Sequence, residues 1–160
     1  MRDSMKTLIT VLFLITLSFA VNAEQAKNFD LDTLDGKINL KELKGKVVYL
    51  DFWASWCSPC RKSFPWMNKL HSKYESQGLE IIGVSLDGKR KHTETFLKKT
   101  PALFTIALDP DGVVADDYKV QVMPTSYLIG RNGELLWEHK GFRTKQQDKL
   151  EDAIASALKL

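Results

Sequence analysis

Both cysteines of the chain, Cys57 and Cys60, stand two residues apart in Trp56-Cys57-Ser58-Pro59-Cys60. Two thiols at this spacing can close a small disulfide loop and reopen it, so the chemistry on offer is thiol–disulfide exchange. A strand-like run, Val47 to Trp53, leads into the motif, and a helix-compatible segment, Arg61 to Tyr74, leads out of it. A first thiol at a helix start is expected to be exposed and to sit among backbone N–H groups, whose partial positive charge favours the thiolate. Zinc fits poorly. A structural zinc site takes about four ligands, there is no second CxxC, and His71, His92 and His139 are scattered. On a helix starting at Cys57, His71 would lie roughly 20 Å along the axis. A purely structural disulfide is the blander reading, but so short a loop constrains the unfolded chain little. The pair reads as a redox centre, with neither metal nor other cofactor expected.

A second group belongs with the cysteines. Asp51 interrupts the apolar run Val47-Val48-Tyr49-Leu50-Asp51-Phe52-Trp53. A carboxylate buried there is costly to ionise, so its pKa should rise toward neutrality and suit it to proton transfer with a shielded Cys60 thiol. The alternative is an Asp51 that points to solvent or pairs with a lysine.

The elements around these residues can be read from periodicity and turn chemistry. Phe29–Asp32 and Ile38–Leu40 flank Asp35-Gly36, a hairpin signal, and Leu40 to Gly45 reads as a short helical turn. Val47 to Trp53 and Leu79 to Leu86 are apolar enough for strands buried on both faces. The helix after the motif contains Pro65, which should kink it. Thr93–Lys99 reads as a helix, Phe104–Leu108 as a strand and Val113–Tyr118 as a short helix. Thr125–Ile129, the turn Arg131-Asn132-Gly133 and Glu134–Glu138 form a closing hairpin. An amphipathic helix over Thr144–Leu158 carries Leu150, Ile154, Ala157 and Leu158 at helical spacing. Strands alternating with helices predict an α/β fold with a mixed sheet covered on both faces.

The N-terminus reads as an export signal. A short basic start is followed by the apolar stretch Thr7–Val21 and the cleavage-like Val21-Asn22-Ala23, which divides the chain into a signal peptide, 1–23, and one domain, 24–160. The stretch is shorter than the roughly 20 residues of a spanning helix; an uncleaved membrane anchor is the second reading. The expected location is periplasmic or otherwise extracytoplasmic in a bacterium. There, a lone close pair of cysteines looks catalytic rather than structural. The formal net charge is only +3. Lys89-Arg90-Lys91, the densest basic cluster, falls in an expected loop and reads as solvated. Nucleic-acid binding has no aromatic or structural support.

The stretch from Asp51 to Lys62 closely resembles the active-site segment of thioredoxins. Val122-Met123-Pro124-Thr125 resembles the loop that carries the cis-proline of that fold, while Gly141 and Pro65 also match. The early hairpin and the extra helix and strand between Lys89 and Leu108 are similar to exported TlpA/ResA-like thioredoxins. The resemblance implies a thioredoxin fold: a central mixed sheet flanked by helices, with an N-terminal β-hairpin and an inserted helix–strand unit. It departs from members devoted to cytochrome c maturation at Ser63, often acidic there, at Asp51, often Asn, and at Thr125, which is Glu in one branch. These differences favour a broader thiol–disulfide reductase.

The resemblance implies that Cys57 attacks, Cys60 resolves and Asp51 exchanges protons with Cys60. Trp53 would pack beneath the motif. Trp56, Pro59, Met123, a cis Pro124 and Thr125 would contact the substrate, with Trp56 shielding Cys57 and offering a docking surface. Expected partners are protein disulfides or dithiols and, for a reductant, a membrane protein delivering electrons; a monomer is expected. The competing functions are a disulfide oxidase or isomerase, a non-enzymatic thioredoxin-like binding module, and a thiol peroxidase.

Overall fold

The computed structural model describes residues 24–160; the segment read as an export signal lies outside them. The domain opens with the antiparallel hairpin β1 (Asp30–Asp32) and β2 (Lys37–Asn39) and a 3₁₀ turn at Leu40–Leu43. The main sheet follows. β3 (Val47–Trp53) lies at its centre, parallel to β4 (Leu79–Ser85), which is parallel to β5 (Thr105–Leu108). On the other side β6 (Thr125–Ile129) runs antiparallel to β3, and β7 (Leu135–Lys140) antiparallel to β6, giving the order β5-β4-β3-β6-β7. Thr33 bridges Ala107 and the Leu34 N–H donates to the Ile106 carbonyl at 3.2 Å, so the hairpin covers the otherwise open β5 edge.

All seven β3 residues are buried, as a strand apolar at both parities requires. Its odd positions, Val47, Tyr49 and Trp53, face α1 (Ser58–Tyr74), α2 (Arg90–Leu97) and α4 (Gln147–Leu158). Its even positions, Val48, Leu50 and Phe52, face Phe29, Leu40, Tyr118 and the residues Val114 and Ala115 of α3 (Val113–Asp117). The expected mixed sheet with helices on both faces is therefore present, and α2 with β5 forms the inserted helix–strand unit.

Two helix starts differ from expectation for physical reasons. The helix α1 begins at Ser58 rather than Arg61, because Cys57 acts as its N-cap and Pro59 supplies a preset φ in the first turn. It carries Pro65 without ending there: Pro65 is exposed, where water can satisfy the carbonyl it leaves free, while Phe64, Trp66 and Met67 around it are buried. The helix α2 starts at Arg90, so Lys89-Arg90-Lys91 is a helix N-terminus rather than a loop. Cations at that end oppose the helix dipole, which is why the sequence pattern does not signal a start there. Buried Thr93 and Phe96 anchor the helix instead.

The motif rests on an aromatic cluster. Phe64 is fully buried, with ring centroids 4.6 Å from Trp53, 4.9 Å from Phe96 and 5.4 Å from Phe104. Truncation here leaves a cavity that three rings cannot fill. Phe64→Ala should destabilise the domain by about 3–5 kcal/mol, checked as a lowered midpoint in denaturant unfolding; a change under about 1 kcal/mol would contradict this packing role.

Candidate active site

Cys57 and Cys60 are joined in a disulfide, with an S–S distance of 2.02 Å and a Cα–Cα distance of 5.3 Å. The β3 strand delivers the chain to Ala54, a tight turn carries it to Cys57, and the helix takes over at Ser58. The Cys60 N–H donates to Cys57 Sγ at 3.3 Å, so the first sulfur occupies the position of a capping acceptor. Cys60 is fully buried. Cys57, expected to be exposed, is only 6 % exposed: it is bonded inward to Cys60 and faces the Val122–Met123 loop across a groove. Trp56 beside it is 69 % exposed, its ring offered to solvent.

Asp51 is 1 % exposed. Alternation along β3 turns it to the face of Tyr49 and Trp53, the face on which Cys60 and the rest of α1 pack. Neither alternative reading survives: it does not reach solvent, and among the described residues no cation lies within 4.0 Å of it. Its neighbour on β4 is Gly83, where a Cβ would stand 3.1 Å from Trp53 Nε1, so that strand offers the carboxylate no side chain. Its neighbour on β6 is Ser126. Ser126 Oγ donates to Asp51 Oδ1 at 2.7 Å, and Tyr49 Oη donates to Ser126 Oγ at 2.9 Å. The other carboxylate oxygen, Oδ2, is buried without a partner. Burial pushes the Asp51 pKa up to about 7, while the Ser126 hydrogen bond pulls it down. Burial, then the charge of Asp51, raises that of Tyr49, keeping its hydroxyl a donor.

A second buried carboxylate fixes the turn before the motif. Asp87 accepts hydrogen bonds from the Ser55 N–H at 3.1 Å, Ser55 Oγ at 2.9 Å, Thr93 Oγ1 at 3.0 Å and Ser85 Oγ at 3.3 Å. This ties the loop ahead of Cys57 to the end of β4 and the start of α2.

The groove beside the disulfide has a volume of about 520 Å³ and no charged side chain in its wall. Trp56, Pro59 and Met123 line it together with Leu86, Val120 and Val122. The Met123–Pro124 peptide bond is cis. Thr125 is fully buried and donates its hydroxyl to the Val122 carbonyl at 2.7 Å, so it shapes the loop from behind. Sequence reasoning missed Ser126, Tyr49 and Asp87, which depend on strand register and on contacts across the fold, and it missed the Leu86–Val120–Val122 wall for the same reason.

Comparison with known protein families matches residues 23–138 to the AhpC/TSA family. The chain belongs to this AhpC/TSA family, within the thioredoxin superfamily. AhpC/TSA relatives narrow the chemistry. A protein named thiol-disulfide oxidoreductase ResA, from Bacillus thuringiensis subsp. konkukian, is 42% identical over 125 residues, which are 78% of this chain and 72% of the relative. The ResA of Halalkalibacterium halodurans is 38% identical over 135 residues, 84% of this chain and 77% of its own. A Chlorobium tepidum crystal structure described as a thiol:disulfide interchange protein DsbE superposes with a TM-score of 0.84 at 47% identity, covering 85% of this chain and 96% of that one. This AhpC/TSA member is a thiol-disulfide oxidoreductase with a thioredoxin fold.

The state of Asp51 has a consequence for stability. Its folded pKa of about 7 exceeds the ordinary value of 3.8, so the native state holds the proton more tightly than the unfolded chain does. That stability is present below the ordinary value and is lost as pH rises through about 7. Asp51→Asn removes the penalty. The variant should match the wild type near pH 4 and exceed it at pH 8 by on the order of 4 kcal/mol. Urea unfolding at both pH values checks this; a gap independent of pH would rule out a buried carboxyl titrating there.

Proposed function

We propose that the protein is an exported reductant of protein disulfides in an extracytoplasmic bacterial compartment. The observation that carries the mechanism is the pairing of the Cys57–Cys60 centre with a buried Asp51 whose Oδ2 has no partner. In the reduced protein the Cys57 thiolate attacks one sulfur of a substrate disulfide. A mixed disulfide forms, and the first substrate sulfur leaves as a thiolate that takes a proton from solvent. The Cys60 thiol then gives its proton to ionised Asp51 and attacks Cys57 Sγ. That breaks the mixed disulfide and releases the second substrate thiolate. Two electrons have passed to the substrate and the Cys57–Cys60 disulfide has formed, the state seen in this structure. A dithiol carrier in the membrane restores the reduced form. Trp56, Pro59, Met123 and Pro124 frame the substrate, and Thr125 holds the proline loop in shape.

The apolar stretch and cleavage-like site before Glu24 support export. Ser63, Asp51 and Thr125, which depart from the pattern of dedicated cytochrome c maturation members, favour a broader range of disulfide substrates.

The deciding measurement for direction is the equilibrium reduction potential of residues 24–160 in dithiothreitol or glutathione buffers. The expected value is low, near the −270 mV of thioredoxin; a value near the roughly −120 mV of a strong oxidant would reassign the protein as a disulfide donor. Cys57→Ser should abolish turnover, and Cys60→Ser should accumulate a mixed disulfide visible on a non-reducing gel. A Cys57→Ser protein that keeps full function would instead make the fold a binding module.

Ser126 tests the proton step. Losing its hydrogen bond to Asp51 should raise the carboxyl pKa by about one unit, or about 1.4 kcal/mol. Resolution requires ionised Asp51, so the acid limb of the pH–rate profile of Ser126→Ala should move to higher pH by that amount. An unshifted limb would remove Asp51 from the step.

A further inference from the structure

The basic cluster Lys89-Arg90-Lys91 lies beside the redox motif. A second groove, of about 560 Å³, is lined by Ser55, Arg61, Lys89, Lys91, His92 and Lys99 over a floor that includes Phe96, and no acidic side chain lines it. Ser55 stands two residues before Cys57, and Arg61 directly follows Cys60. The tie that brings α2 to this position is Asp87, which holds Ser55 and Thr93 at once.

These cations are not used by the fold. Arg61, Lys89, Lys91 and Lys99 are all exposed, and among the described residues none has a carboxylate within 4.0 Å. Arg90 behaves differently. It pairs with Glu94 at 2.7 Å and donates to the Leu34 carbonyl at 2.8 Å, fastening α2 to the hairpin. Asp87, which holds Ser55 at the edge of the groove, is 4 % exposed and already accepts from Ser55, Ser85 and Thr93, while Glu94 of the same helix is taken by Arg90. The placement of Lys89 and Lys91 even opposes the α2 dipole, with no acidic residue in the first turn to compensate. Four unpaired cations in one groove produce a local positive potential out of proportion to a net charge of +3.

The uncharged groove, walled by Trp56, Leu86, Val120, Val122 and Met123, also borders the motif. The redox motif therefore contributes residues to both an apolar and a cationic groove: Cys57 to the first, Ser55 and Arg61 at its flanks to the second. We infer that the groove of Arg61, Lys89, Lys91 and Lys99 is a docking site for an acidic segment of the protein whose disulfide is exchanged. That partner carries Asp or Glu residues on one side of its cysteine and apolar residues on the other. The inference rests on the thiol-exchange function above. Charges placed at the rim of a contact act mainly on encounter rate and on the choice of partner, and salt weakens them.

The test uses two disulfide-linked peptides identical except for Asp/Glu or Lys residues flanking one cysteine, with uncharged hydroxyethyl disulfide as reference. At low salt the protein should reduce the acidic peptide with a kcat/KM about tenfold above that of the basic one, and about 0.5 M salt should erase most of the difference. The triple variant Lys89→Glu/Lys91→Glu/Lys99→Glu should invert the preference. Equal rates for the two peptides, or an equal fractional loss on hydroxyethyl disulfide in the triple variant, would overturn the docking site. Binding of a cysteine-free acidic peptide carrying a fluorescent label, followed by anisotropy, gives a readout that needs no chemistry. Salt-sensitive binding that the triple variant loses supports the site even if no disulfide is turned over, a result that would sink the exchange mechanism alone. Absent binding, or tighter binding of a DNA oligonucleotide than of the acidic peptide, would refute it.

Discussion

The burial of one carboxylate in the central strand is the constraint around which this domain is arranged. A strand covered on both faces is the natural place for apolar side chains alone, and Asp51 breaks that rule at the level of the motif. The surroundings limit the damage without removing it. Ser126 reaches one oxygen and is itself held by Tyr49, so two hydroxyls are committed in series to a single acceptor. The opposite strand contributes Gly83, whose missing side chain leaves room for Trp53. A protein optimised only for stability would place an aliphatic residue at Asp51, because a partly satisfied buried polar group is worse than none.

Two of the buried aspartates, Asp51 and Asp87, show how the same side chain is placed in different surroundings. Asp87 lies at the end of a strand, where a loop and a helix start converge, and it receives hydrogen bonds from a backbone N–H and three hydroxyls. Its role is to hold geometry. Asp51 lies in mid-strand, where every backbone group is already engaged in the sheet, so only a neighbouring side chain can reach it. That difference in donor supply leaves Oδ2 of Asp51 bare and ready to hold a proton. How fully each carboxylate is satisfied follows from where it falls in the secondary structure rather than from its chemical type.

Much of this was legible in the chain itself. The CxxC spacing, the apolar runs at β3 and β4, the turn residues Asp35-Gly36 and Asn132-Gly133, and the lone acid in β3 are local signals. Those elements occur where periodicity puts them. The signals that could not be read are the non-local ones. Which residue of β6 faces Asp51 depends on the antiparallel register, and Ser126 has no sequence mark separating it from Thr125 before it. The start of α2 was hidden because its cations violate the usual charge preference of a helix N-terminus. The burial of Cys57 is not legible in the chain because the loop opposite it, Val122–Met123, is some 65 residues distant.

The same non-local links explain why the motif has two unlike sides. β4 ends beside the motif, and its C-terminal loop must turn away toward α2; Asp87 fixes the angle of that turn by holding Ser55 and Thr93 together. The inserted helix then brings its charged N-terminal turn to a groove that Ser55 and Arg61 share, separate from the one that Val122 and Met123 of the proline loop line. Without the insertion, β4 would connect onward without passing this flank, and the disulfide would border the apolar groove alone. An insertion that adds an edge strand to the sheet also adds a charged wall to the site. Both follow from one topological event, so the charged groove and the cover of the β5 edge by the hairpin are physically coupled: Arg90 sits at their junction, its guanidinium on Glu94 of the helix and on carbonyls of the hairpin loop.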